Sequence, residues 1–461
     1  MDRLKMLKDA VPEHVVMVCE MINGMGHVSY VVGGAVRDIL SGDTPKDFDI
    51  ATNAKPDEIE AMFGKTNPIG KEHGTIEVIL EEGHKVEITT FRSEGEYSDM
   101  RRPDEVKFSN SLADDLSRRD YTVNAIAYDP IEETIHDPYK GQEDILERKL
   151  HTVGDANERI QEDPLRMLRG IRICMEKNFE MTEALVLAIQ ENSNLLNYVA
   201  NERIRDEFIR ILMCDRCTEG LYMLLQLELL PHIVPELLPC VGAEQREDYH
   251  QYDVFGHIAH AIHYAYPDEI VKLATLLHDI GKPEVVNVDD DGVIHHYRHE
   301  EVSADMANKI LSRLKFSNHI KDRVIALVKE HMSIVSKSDK ALRKLLSRLE
   351  SPEQGFRFAR LRYADRMGGR GEEKKEKAKS RQLISRISSV FANEQALKVT
   401  DLYVDGNDIM EELGIMPGPA IGEILNEILE RVIDSPGLHN LEDEMNLLIE
   451  IGKKHDEYVP F

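Results

Sequence analysis

Two aspartates separated by a single residue are the side chains best suited to chemistry in this chain. Asp47 and Asp49 lie in the segment PKDFDIAT, whose alternation of polar and apolar residues predicts a strand. Side chains at positions i and i+2 of a strand point to the same face, so both carboxylates should project together while Phe48 and Ile50 turn into the core. Such a pair suits Mg²⁺, which is usually completed by substrate phosphates. In isolation, a D-x-D pair is more often a solvated strand end.

A glycine pair precedes these aspartates. The predicted strand ending at Val32 continues into Gly33 and Gly34, where backbone amides can approach a phosphate closely. Arg37 then follows at the start of a predicted helix and could contact triphosphate oxygens, while Asp38 could instead cap the helix end. A glycine pair alone is most often only a turn. A glycine pair followed by an acid pair predicts nucleotide chemistry.

The segments GGAVRD and DFDI resemble the opening motif of the class II tRNA nucleotidyltransferase and bacterial poly(A) polymerase family. This resemblance implies a polymerase-beta-like head in which Asp47 and Asp49 hold the metals. Glu87, in KVEITTF on a neighbouring predicted strand, is a candidate third carboxylate, with an exposed strand residue as the equal alternative.

The segment SRRDYTVNA supplies a second group of polar residues. Arg118 and Arg119 offer forked donors for phosphate, and Asn124 offers an amide that can bond a ribose hydroxyl. RRDYTVNA resembles the second motif of the same family, and HDPYKGQEDI resembles the third. The resemblance implies that Asp120 and Asn124 contact the sugar and that the two arginines contact the phosphates.

The segment EDPLRMLRG is the most discriminating one. Proline is favoured at a helix start, so Pro164 predicts that Asp163 and Arg166 lie on one helix face. Cytosine and adenine both present an amino donor beside a ring acceptor, whereas uracil and guanine reverse that order. An aspartate acceptor and an arginine donor could therefore accept C and A only, although such a pair is otherwise a common surface salt bridge. The family resemblance implies that these two residues select CTP and ATP, with Arg169 supporting them.

Two further segments match the same family. NERIRDEF (201–208) resembles the last motif of the neck and is expected to brace a helix. The segment from Phe91 to Phe108 resembles the flexible loop that helps CCA-adding enzymes switch from C to A addition. That loop argues against a partial enzyme that adds only CC, but it does not separate CCA addition from poly(A) synthesis.

Histidines cluster in the middle of the chain, around the segment HDIGK. This segment resembles the HD phosphohydrolase superfamily, in which metal ligands occur in the order His, His-Asp and a distant Asp. The resemblance implies the following ligands of a divalent transition metal that activates water: His257, His278, Asp279 and Asp365. His299 and His331 could serve a second metal, bind phosphate or simply lie on the surface. Some members of the nucleotidyltransferase family carry such a domain, with phosphatase or cyclic phosphodiesterase activity toward RNA ends.

The elements that must position these residues belong to an α+β chain of 461 residues, which is too long for one core. Strands are predicted near 29–33, 47–51, 75–80 and 85–91, and the pattern after Gly154 is helical. We expect four parts: a nucleotidyltransferase head over 1–150, a helical neck and body over 151–240, an HD domain over 241–370 and a helical tail over 371–461.

Composition limits the possible partners. The net charge of −28 argues against nucleic acid, but residues 337–381 hold 15 Lys/Arg against 7 Asp/Glu. Such a local basic zone can still contact phosphates, because distant charges are screened, although it could equally be a solvated helical face. No segment approaches the ~18 apolar residues of a membrane helix, and a cytoplasmic protein is expected. The lone C-x-x-C at Cys214 and Cys217 is weak support for zinc or redox chemistry.

These observations predict an enzyme that adds CCA to tRNA 3′ ends from CTP and ATP with Mg²⁺, and that carries a second, phosphohydrolase site. Three alternatives stay open at this point. The chain could be a poly(A) polymerase, a hydrolase that processes RNA ends through the His-Asp site, or an RNA-binding scaffold without catalysis.

Overall fold

The computed structural model describes residues 2–93, 107–246, 251–335, 338–392 and 396–455. The chain divides into two compact units, Met1–Pro235 and Glu236–Phe461. Their boundary falls within the proline-rich break LLPHIVPELLPCVG. The four-part division expected from the sequence is finer than these two units, and its boundaries remain a proposal. Among the described residues, no helix has the length and apolar character needed to cross a bilayer.

The first unit contains a mixed seven-stranded sheet. Its strands, with two short strand pairs beside the sheet, are β1 Ser29–Val32, β2 Asp49–Thr52, β3 Thr66–Gly70, β4 Thr75–Ile79, β5 Lys85–Thr90, β6 Arg92–Ser93, β7 Lys107–Phe108, β8 Ala127–Asp129, β9 Thr134–His136, β10 Lys149–Leu150 and β11 Glu180–Met181. The spatial order in the sheet is β3-β4-β5-β2-β1-β8-β9. Strands β2 and β5 run parallel, whereas β1 is antiparallel to both β2 and β8. The mixed α+β class predicted from the sequence is confirmed.

The strand that carries the acid pair begins later than predicted. The sequence pattern predicts a strand over 47–51, but β2 begins at Asp49. Val32, the last residue of β1, pairs with Asp49, and the chain beyond Val32 turns into a helix, so Asp47 has no strand partner. Asp47 is therefore exposed just before the strand, and Phe48 is only half-buried, while Ile50 is fully buried.

Helices complete the first unit. They are α1 Arg3–Ala10, α2 Glu13–Gly24, α3 Gly34–Ser41, α4 Pro56–Met62, α5 Leu112–Ser117, α6 Gly141–Glu147, α7 Ala156–Glu162, α8 Arg166–Lys177, α9 Glu183–Asn192, α10 Asn201–Met213, α11 Cys217–Gln226 and α12 Leu230–Ile233. The three- and four-residue apolar spacing of 201–214 predicts α10, whose Phe208 and Ile211 are fully buried. The helical part of this unit thus packs as its sequence pattern indicates.

The second unit is almost entirely helical. It contains α13 Val254–Tyr264, α14 Glu269–Leu277, the short hairpin β12 Asn287–Val288 with β13 Ile294–His295, α15 His299–Arg313, α16 Asn318–Glu330, α17 Asp339–Leu349, α18 Pro352–Gly368, α19 Glu373–Ala392, α20 Gly406–Leu413, α21 Pro419–Asp434 and α22 Leu441–His455. The last three helices share a hydrophobic core in which Ile409, Ile428 and Leu448 are fully buried.

The cysteines carry no sign of metal or redox chemistry. All five are buried, and none is in a disulfide. Burial raises the pKa of the Cys214 thiol to about 12, so it stays protonated at neutral pH and is a poor metal ligand or nucleophile.

One close backbone approach fixes part of the first unit. Gly141, at the start of α6, lies against the turn Thr122–Asn124, and a Cβ at position 141 would lie 2.2 Å from the Thr122 carbonyl oxygen. No side chain fits there without moving backbone. The helix therefore holds the turn that presents Asn124.

We expect Gly141→Ala to destabilise the protein by about 1–3 kcal/mol, the usual cost of overpacking a filled site. This corresponds to a loss of several °C in melting temperature for a unit of this size, at roughly 2–4 °C per kcal/mol. The matched control is Gly24→Ala at the end of α2, where a Cβ meets nothing within 4 Å. Calorimetry of the full chain checks both, and a Gly141→Ala variant that melts with the wild type would contradict this packing.

Candidate functional site

The sheet places Asp49 beside Glu87. The two residues are partners in the parallel register of β2 and β5, so their side chains lie on the same face of adjacent strands. Burial raises the pKa of the Asp49 carboxyl to about 6, the charges of Glu87 and Asp47 add to this rise, and the Arg119 guanidinium opposes it. The charge of Asp47 thus acts on Asp49 although Asp47 precedes the strand. The carboxylates of Asp49 and Glu87 are thus adjacent, the charge of Asp47 is near enough to act on Asp49, and Arg119 compensates only part of this negative charge.

This donor set fits magnesium. Carboxylate oxygens are the ligands that Mg²⁺ prefers, and the ion leaves positions for phosphate oxygens and water. Burial is the main cause of the raised pKa of Asp49, and an ion held by Asp47, Asp49 and Glu87 would relieve the repulsion that adds to it.

The glycine turn leaves room for ligands at this point. Gly33 has a φ of +72°, a conformation that favours glycine, and a Cβ there would lie 3.2 Å from Arg119 Nη1 and 3.6 Å from Asp49 Oδ2. A side chain at position 33 would therefore intrude between the carboxylate and the arginine. The turn brings the backbone of Gly33 close to both charged groups. The approach of the Gly33 and Gly34 amides to a phosphate stays a prediction.

The two consecutive arginines are held by an aspartate that the sequence analysis missed. Asp115 is fully buried, and its Oδ1 lies 2.6 Å from Arg118 Nη2 while its Oδ2 lies 2.9 Å from Arg119 Nη2. Together the guanidinium groups keep the pKa of Asp115 below its usual range, despite burial. An acid three and four positions before two arginines, which is the spacing of ion pairs on a helix, was the available signal. Asp115 therefore orients the guanidinium groups of both arginines.

A hydrogen-bond network occupies the polar groups of the second motif. Asn124 Oδ1 accepts from Arg37 Nη1 at 2.7 Å, and Asn124 Nδ2 donates to Asp120 Oδ1 at 2.9 Å. Arg37 is also paired with Asp38, which is an internal residue of α3 and not a helix cap. Arg169 Nη2 lies 2.8 Å from Asp120 Oδ2. Burial opposes ionisation of Asp120, but Arg169 and the Asn124 bond hold its pKa at about 2. The expected sugar contacts of Asp120 and Asn124 must use their remaining hydrogen-bonding capacity.

Asp163 and Arg166 were expected to share one helix face, but Asp163 lies outside the helix that carries Arg166. Asp163 has an extended backbone between α7 and α8, because the residue before a proline is disfavoured in helical conformation. The two residues do not pair with each other either. Asp163 Oδ2 lies 2.8 Å from Arg203 Nη2, and Arg166 Nη1 lies 2.7 Å from Glu162 Oε2. The pair is therefore not the surface salt bridge that was the alternative.

The candidate residues predicted from the sequence for nucleotide and metal binding in the head, except Asp47, line one cavity of about 460 Å³ in the first unit. Its wall carries seven arginines and four carboxylates, in addition to the glycine turn and Asn124. The charged lining residues are Arg37, Arg92, Arg118, Arg119, Arg166, Arg169, Arg172, Asp49, Glu87, Asp120 and Asp163. The cavity is positively charged although the whole chain carries −28. Of the loop expected over 91–108, residues 94–106 lie outside the described part of the chain.

The second unit assembles the predicted His-Asp ligands around one carboxylate. His257 Nε2 lies 3.3 Å from Asp279 Oδ2 and 3.3 Å from Asp365 Oδ1, and His278 Nε2 lies 3.2 Å from Asp279 Oδ2. Three helices contribute: α13 carries His257, α18 carries Asp365, and His278-Asp279 directly follow α14. His278 and Lys282 keep the pKa of Asp279 far below its ordinary value although burial opposes this, so Asp279 is ionised.

The histidine chemistry fits a transition metal. His278 Nδ1 donates to the Thr275 carbonyl at 2.8 Å, which leaves Nε2 as the nitrogen that faces Asp279 and Asp365. Metal-binding histidines are commonly oriented through such a bond from the other ring nitrogen. His299 and His331 are each 4% exposed, so the surface interpretation of these two residues is wrong. Lys282 Nζ lies 2.6 Å from Asp279 Oδ2, a neighbour that spacing alone did not identify as part of this cluster.

Three family models match the chain. Residues 29–151 match the poly A polymerase head domain, residues 178–240 match the RNA and SrmB binding site of polymerase A, and residues 298–450 match domain 2 of tRNA nucleotidyltransferase. The first match covers the glycine turn, the acid pair and the second motif.

Curated relatives extend the similarity over nearly the whole chain. The chain is 33% identical over 428 residues to the CCA-adding enzyme of Bacillus mycoides, a match that covers 92% of this chain and 95% of that enzyme. It is 44% identical over 216 residues to the CCA-adding enzyme of Bacillus cytotoxicus, which covers 47% of this chain and 54% of that enzyme.

Solved structures agree in fold. The CCA-adding enzyme of Bacillus stearothermophilus, solved in complex with CTP, matches with a TM-score of 0.71 and 26% identity over 96% of this chain and 98% of that one. The Thermotoga maritima CCA-adding enzyme, solved with tRNA, has a TM-score of 0.52 and 18% identity over 98% of this chain and 99% of that one, which supports the fold alone.

The raised pKa of Asp49 predicts a pH-dependent response to Mg²⁺. A raised pKa means that the folded protein holds this proton up to about pH 6, so without metal this carboxyl lowers the stability as the pH rises from ~4 to ~6. Mg²⁺ binds the ionised form, so the rise in melting temperature caused by Mg²⁺ should be larger at pH 7.5 than at pH 5.

Calorimetry with and without Mg²⁺ is done on the wild type and on Asp49→Asn. The comparison separates Mg²⁺ binding at Asp49 from Mg²⁺ binding elsewhere. Asp49→Asn should lose most of the pH-dependent part of the rise in melting temperature caused by Mg²⁺. The control Asp9→Asn, on the exposed side of α1, should keep it. Equal responses of the wild type and Asp49→Asn at both pH values would contradict the assignment.

Proposed function

The chain belongs to the CCA-adding enzymes, a family of tRNA nucleotidyltransferases, and we propose that it builds the CCA end of tRNA from CTP and ATP. Nucleotidyltransferases of this family use divalent metals, and we assign Mg²⁺ here. The single observation that carries the proposal is Asp49 in register with Glu87 at an arginine-lined cavity. The relatives named above are CCA-adding enzymes, and the poly(A) polymerase alternative finds no support among them.

The reaction is a nucleotidyl transfer. The 3′-hydroxyl oxygen of the tRNA attacks the α-phosphorus of the nucleotide, the bond from that phosphorus to the β-phosphate oxygen breaks, pyrophosphate leaves, and the hydroxyl proton passes to solvent. Asp47, Asp49 and Glu87 would hold the Mg²⁺, which when bound supplies charge neutralisation at the phosphates and the nucleophile. Little covalent work is left for the protein beyond positioning and electrostatics.

The arginines position the triphosphate. Asp115 holds the guanidinium groups of Arg118 and Arg119 within the cavity, where their remaining N–H donors can meet phosphate oxygens. The backbone at Gly33 and Gly34 approaches the same point without steric cost. Phosphate binding therefore needs no rearrangement of the two arginines.

Asp163 and Arg166 are our candidates for choosing the base. A carboxylate has about four acceptor sites, and Asp163 uses one for Arg203 and one for the Leu165 amide, which leaves acceptors for an amino group. Arg166 bonds the carbonyls of Arg159 and Arg118 and the carboxylate of Glu162, and its other N–H donors can reach a ring acceptor. Both residues are anchored by protein partners, so a base with the reversed pattern would leave polar groups unpaired.

The base-selection proposal predicts a change in nucleotide preference. Unpaired buried groups cost about 1–3 kcal/mol each, so Asp163→Ala should reduce the preference for CTP over UTP by roughly tenfold to hundredfold. The measurement is incorporation of labelled nucleotides into a tRNA that lacks CCA. Glu158→Ala, an exposed acid on α7, is the matched control and should leave the preference unchanged.

The same assay tests the main function. Wild-type protein should add C, C and A and then stop, and Asp49→Asn should lose about a thousandfold in rate, or some 4 kcal/mol of transition-state stabilisation. Wild-type incorporation of UTP or GTP as readily as CTP would contradict base selection. Long tails of A would instead favour a poly(A) polymerase.

A second function is supported by the His-Asp cluster of the second unit. His257, His278, Asp279 and Asp365 would hold a divalent transition metal, which when bound supplies activation of water for attack on a phosphate ester. The cavity beside them, of about 420 Å³, includes Lys282 and Arg366 as positively charged wall residues. A phosphohydrolase that acts on RNA ends fits this arrangement.

We expect the two activities to separate genetically. Asp279→Asn should abolish phosphate release from RNA with a 3′-phosphate or a 2′,3′-cyclic phosphate, and chelation followed by a transition metal should remove and restore it in the wild type. Asp49→Asn should keep this release while losing CCA addition. Phosphate release that survives in Asp279→Asn would contradict the second function, and turnover in either assay would exclude a non-enzymatic scaffold.

A further inference from the structure

We propose that Tyr297, backed by His295, forms a stacking platform for the base of a nucleotide whose phosphate lies at the His-Asp cluster. The inference deepens the second function proposed above and rests on it, because the cavity is the one assigned there to a phosphate ester. It gives that site a substrate class, the terminal nucleotide of an RNA, which is held by its base as well as by its phosphate.

Two aromatic rings at the end of the short hairpin β12–β13 lie one on the other. The ring centroids of His295 and Tyr297 are 5.0 Å apart, and the planes of the rings differ by only 9°. His295 thus covers one face of the Tyr297 ring, yet Tyr297 is 65% exposed. The opposite face of the Tyr297 ring is therefore open to a flat ligand.

A single aspartate orders the hairpin and holds the His295 ring. Asp289 Oδ2 lies 2.8 Å from His295 Nε2. Asp289 Oδ1 accepts from the backbone amides of Asp291 and Val293 at 3.1 Å and 2.8 Å, which closes the hairpin turn. The two stacked rings are thus in place before a ligand arrives, and such preorganisation lowers the entropy cost of binding.

The platform lines the same cavity as the His-Asp cluster. Ile294, Tyr297 and Met332 form an apolar part of its wall, whereas Lys282 and Arg366 form a cationic part. Single exposed apolar side chains are common on protein surfaces, but apolar groups that share a cavity with a few polar ones are typical of a ligand site. An apolar part and a cationic part in one cavity suit a molecule with an aromatic ring at one end and a phosphate at the other, which is a nucleotide.

The chain itself limits the distance between the platform and the cluster. Tyr297 precedes His299 by two residues, so their Cα atoms are at most about 7 Å apart. His299 Nε2 in turn lies 3.1 Å from Asp279 Oδ1. A base stacked on Tyr297 would therefore be close enough to a phosphate at the cluster for one sugar to bridge them.

The chemistry of the platform indicates which nucleotides it accepts. Proteins commonly bind the unstacked bases of single-stranded RNA on aromatic side chains. Every base has a π-face, so stacking alone tolerates all four bases. We therefore expect the site to accept an RNA end of any sequence and to discriminate against phosphate esters that lack a base.

A fluorescence titration of the full chain tests the platform directly. The chain contains no tryptophan, so Tyr297→Trp introduces a single reporter that keeps a stacking ring at this position. Adenosine 3′-phosphate should quench its fluorescence, whereas glycerol 2-phosphate, a base-free ester, should not. The matched control is Tyr403→Trp, which replaces another exposed tyrosine beside a histidine ring and should show no quenching. Equal responses to the two esters, or of the two variants, would overturn the platform.

Phosphate release from the same two esters gives the second readout. In Tyr297→Ala, the preference in kcat/KM for adenosine 3′-phosphate over glycerol 2-phosphate should fall roughly tenfold or more, because the stacking of one base is lost. Tyr297→Phe, which keeps the ring, should restore most of that preference. A merely structural defect would instead lower both rates together.

The two readouts separate the possible failures. Phosphate release with an unchanged preference in Tyr297→Ala would overturn the platform and leave the proposed hydrolase intact. Quenching of the tryptophan by adenosine 3′-phosphate without phosphate release from either ester would support the platform and overturn the hydrolase. Neither quenching nor release would overturn both.

Discussion

The candidate site of the first unit depends on two carboxylates that a parallel strand pair places side by side. The register of β2 and β5 sets Asp49 against Glu87, and burial, with the charges of Glu87 and Asp47, raises the pKa of Asp49 to about 6. Such an arrangement is unfavourable in the absence of a cation. Arg119 compensates only part of the repulsion among these carboxylates. We therefore expect this end of the sheet to bind a metal ion. The glycine turn after Val32 then leaves the space in which a triphosphate can approach that ion.

Four of the arginines around this centre are held by carboxylates. Asp115 orients two of them, Asp38 pairs with Arg37, and Asp120 pairs with Arg169. This explains how an acidic chain can bind a polyanion. The net charge of −28 acts over distances at which salt screens it, whereas the anchored arginines act in direct contact. Anchoring also removes much of the entropy cost of ordering long side chains when a ligand arrives.

The sequence predicted four of the seven strands of the sheet and the helical pattern after Gly154, because these depend on local pattern, whereas β3, β8 and β9 were missed. The predicted strands agree with β1, β2, β4 and β5 within about two residues, and the ligand atoms of His257, His278 and Asp279 lie close together. Asp47, by contrast, precedes β2. The hydrogen-bond and ion-pair partners of these side chains were harder to predict, because they depend on tertiary contacts. Nothing local showed that Asn124 would be bonded on both sides or that Asp163 would pair with Arg203. The extended backbone of Asp163 could have been anticipated from the following proline.

The most direct test of this account is the position of an ion in the first unit. A crystal structure of the protein with Mn²⁺ and a non-hydrolysable CTP analogue gives that position from anomalous scattering. We predict density about 2.0–2.3 Å from carboxylate oxygens of Asp47 and Asp49, with a triphosphate oxygen as a further ligand. An ion bound elsewhere in the cavity, with the Asp47 carboxylate turned away from Asp49, would contradict the account.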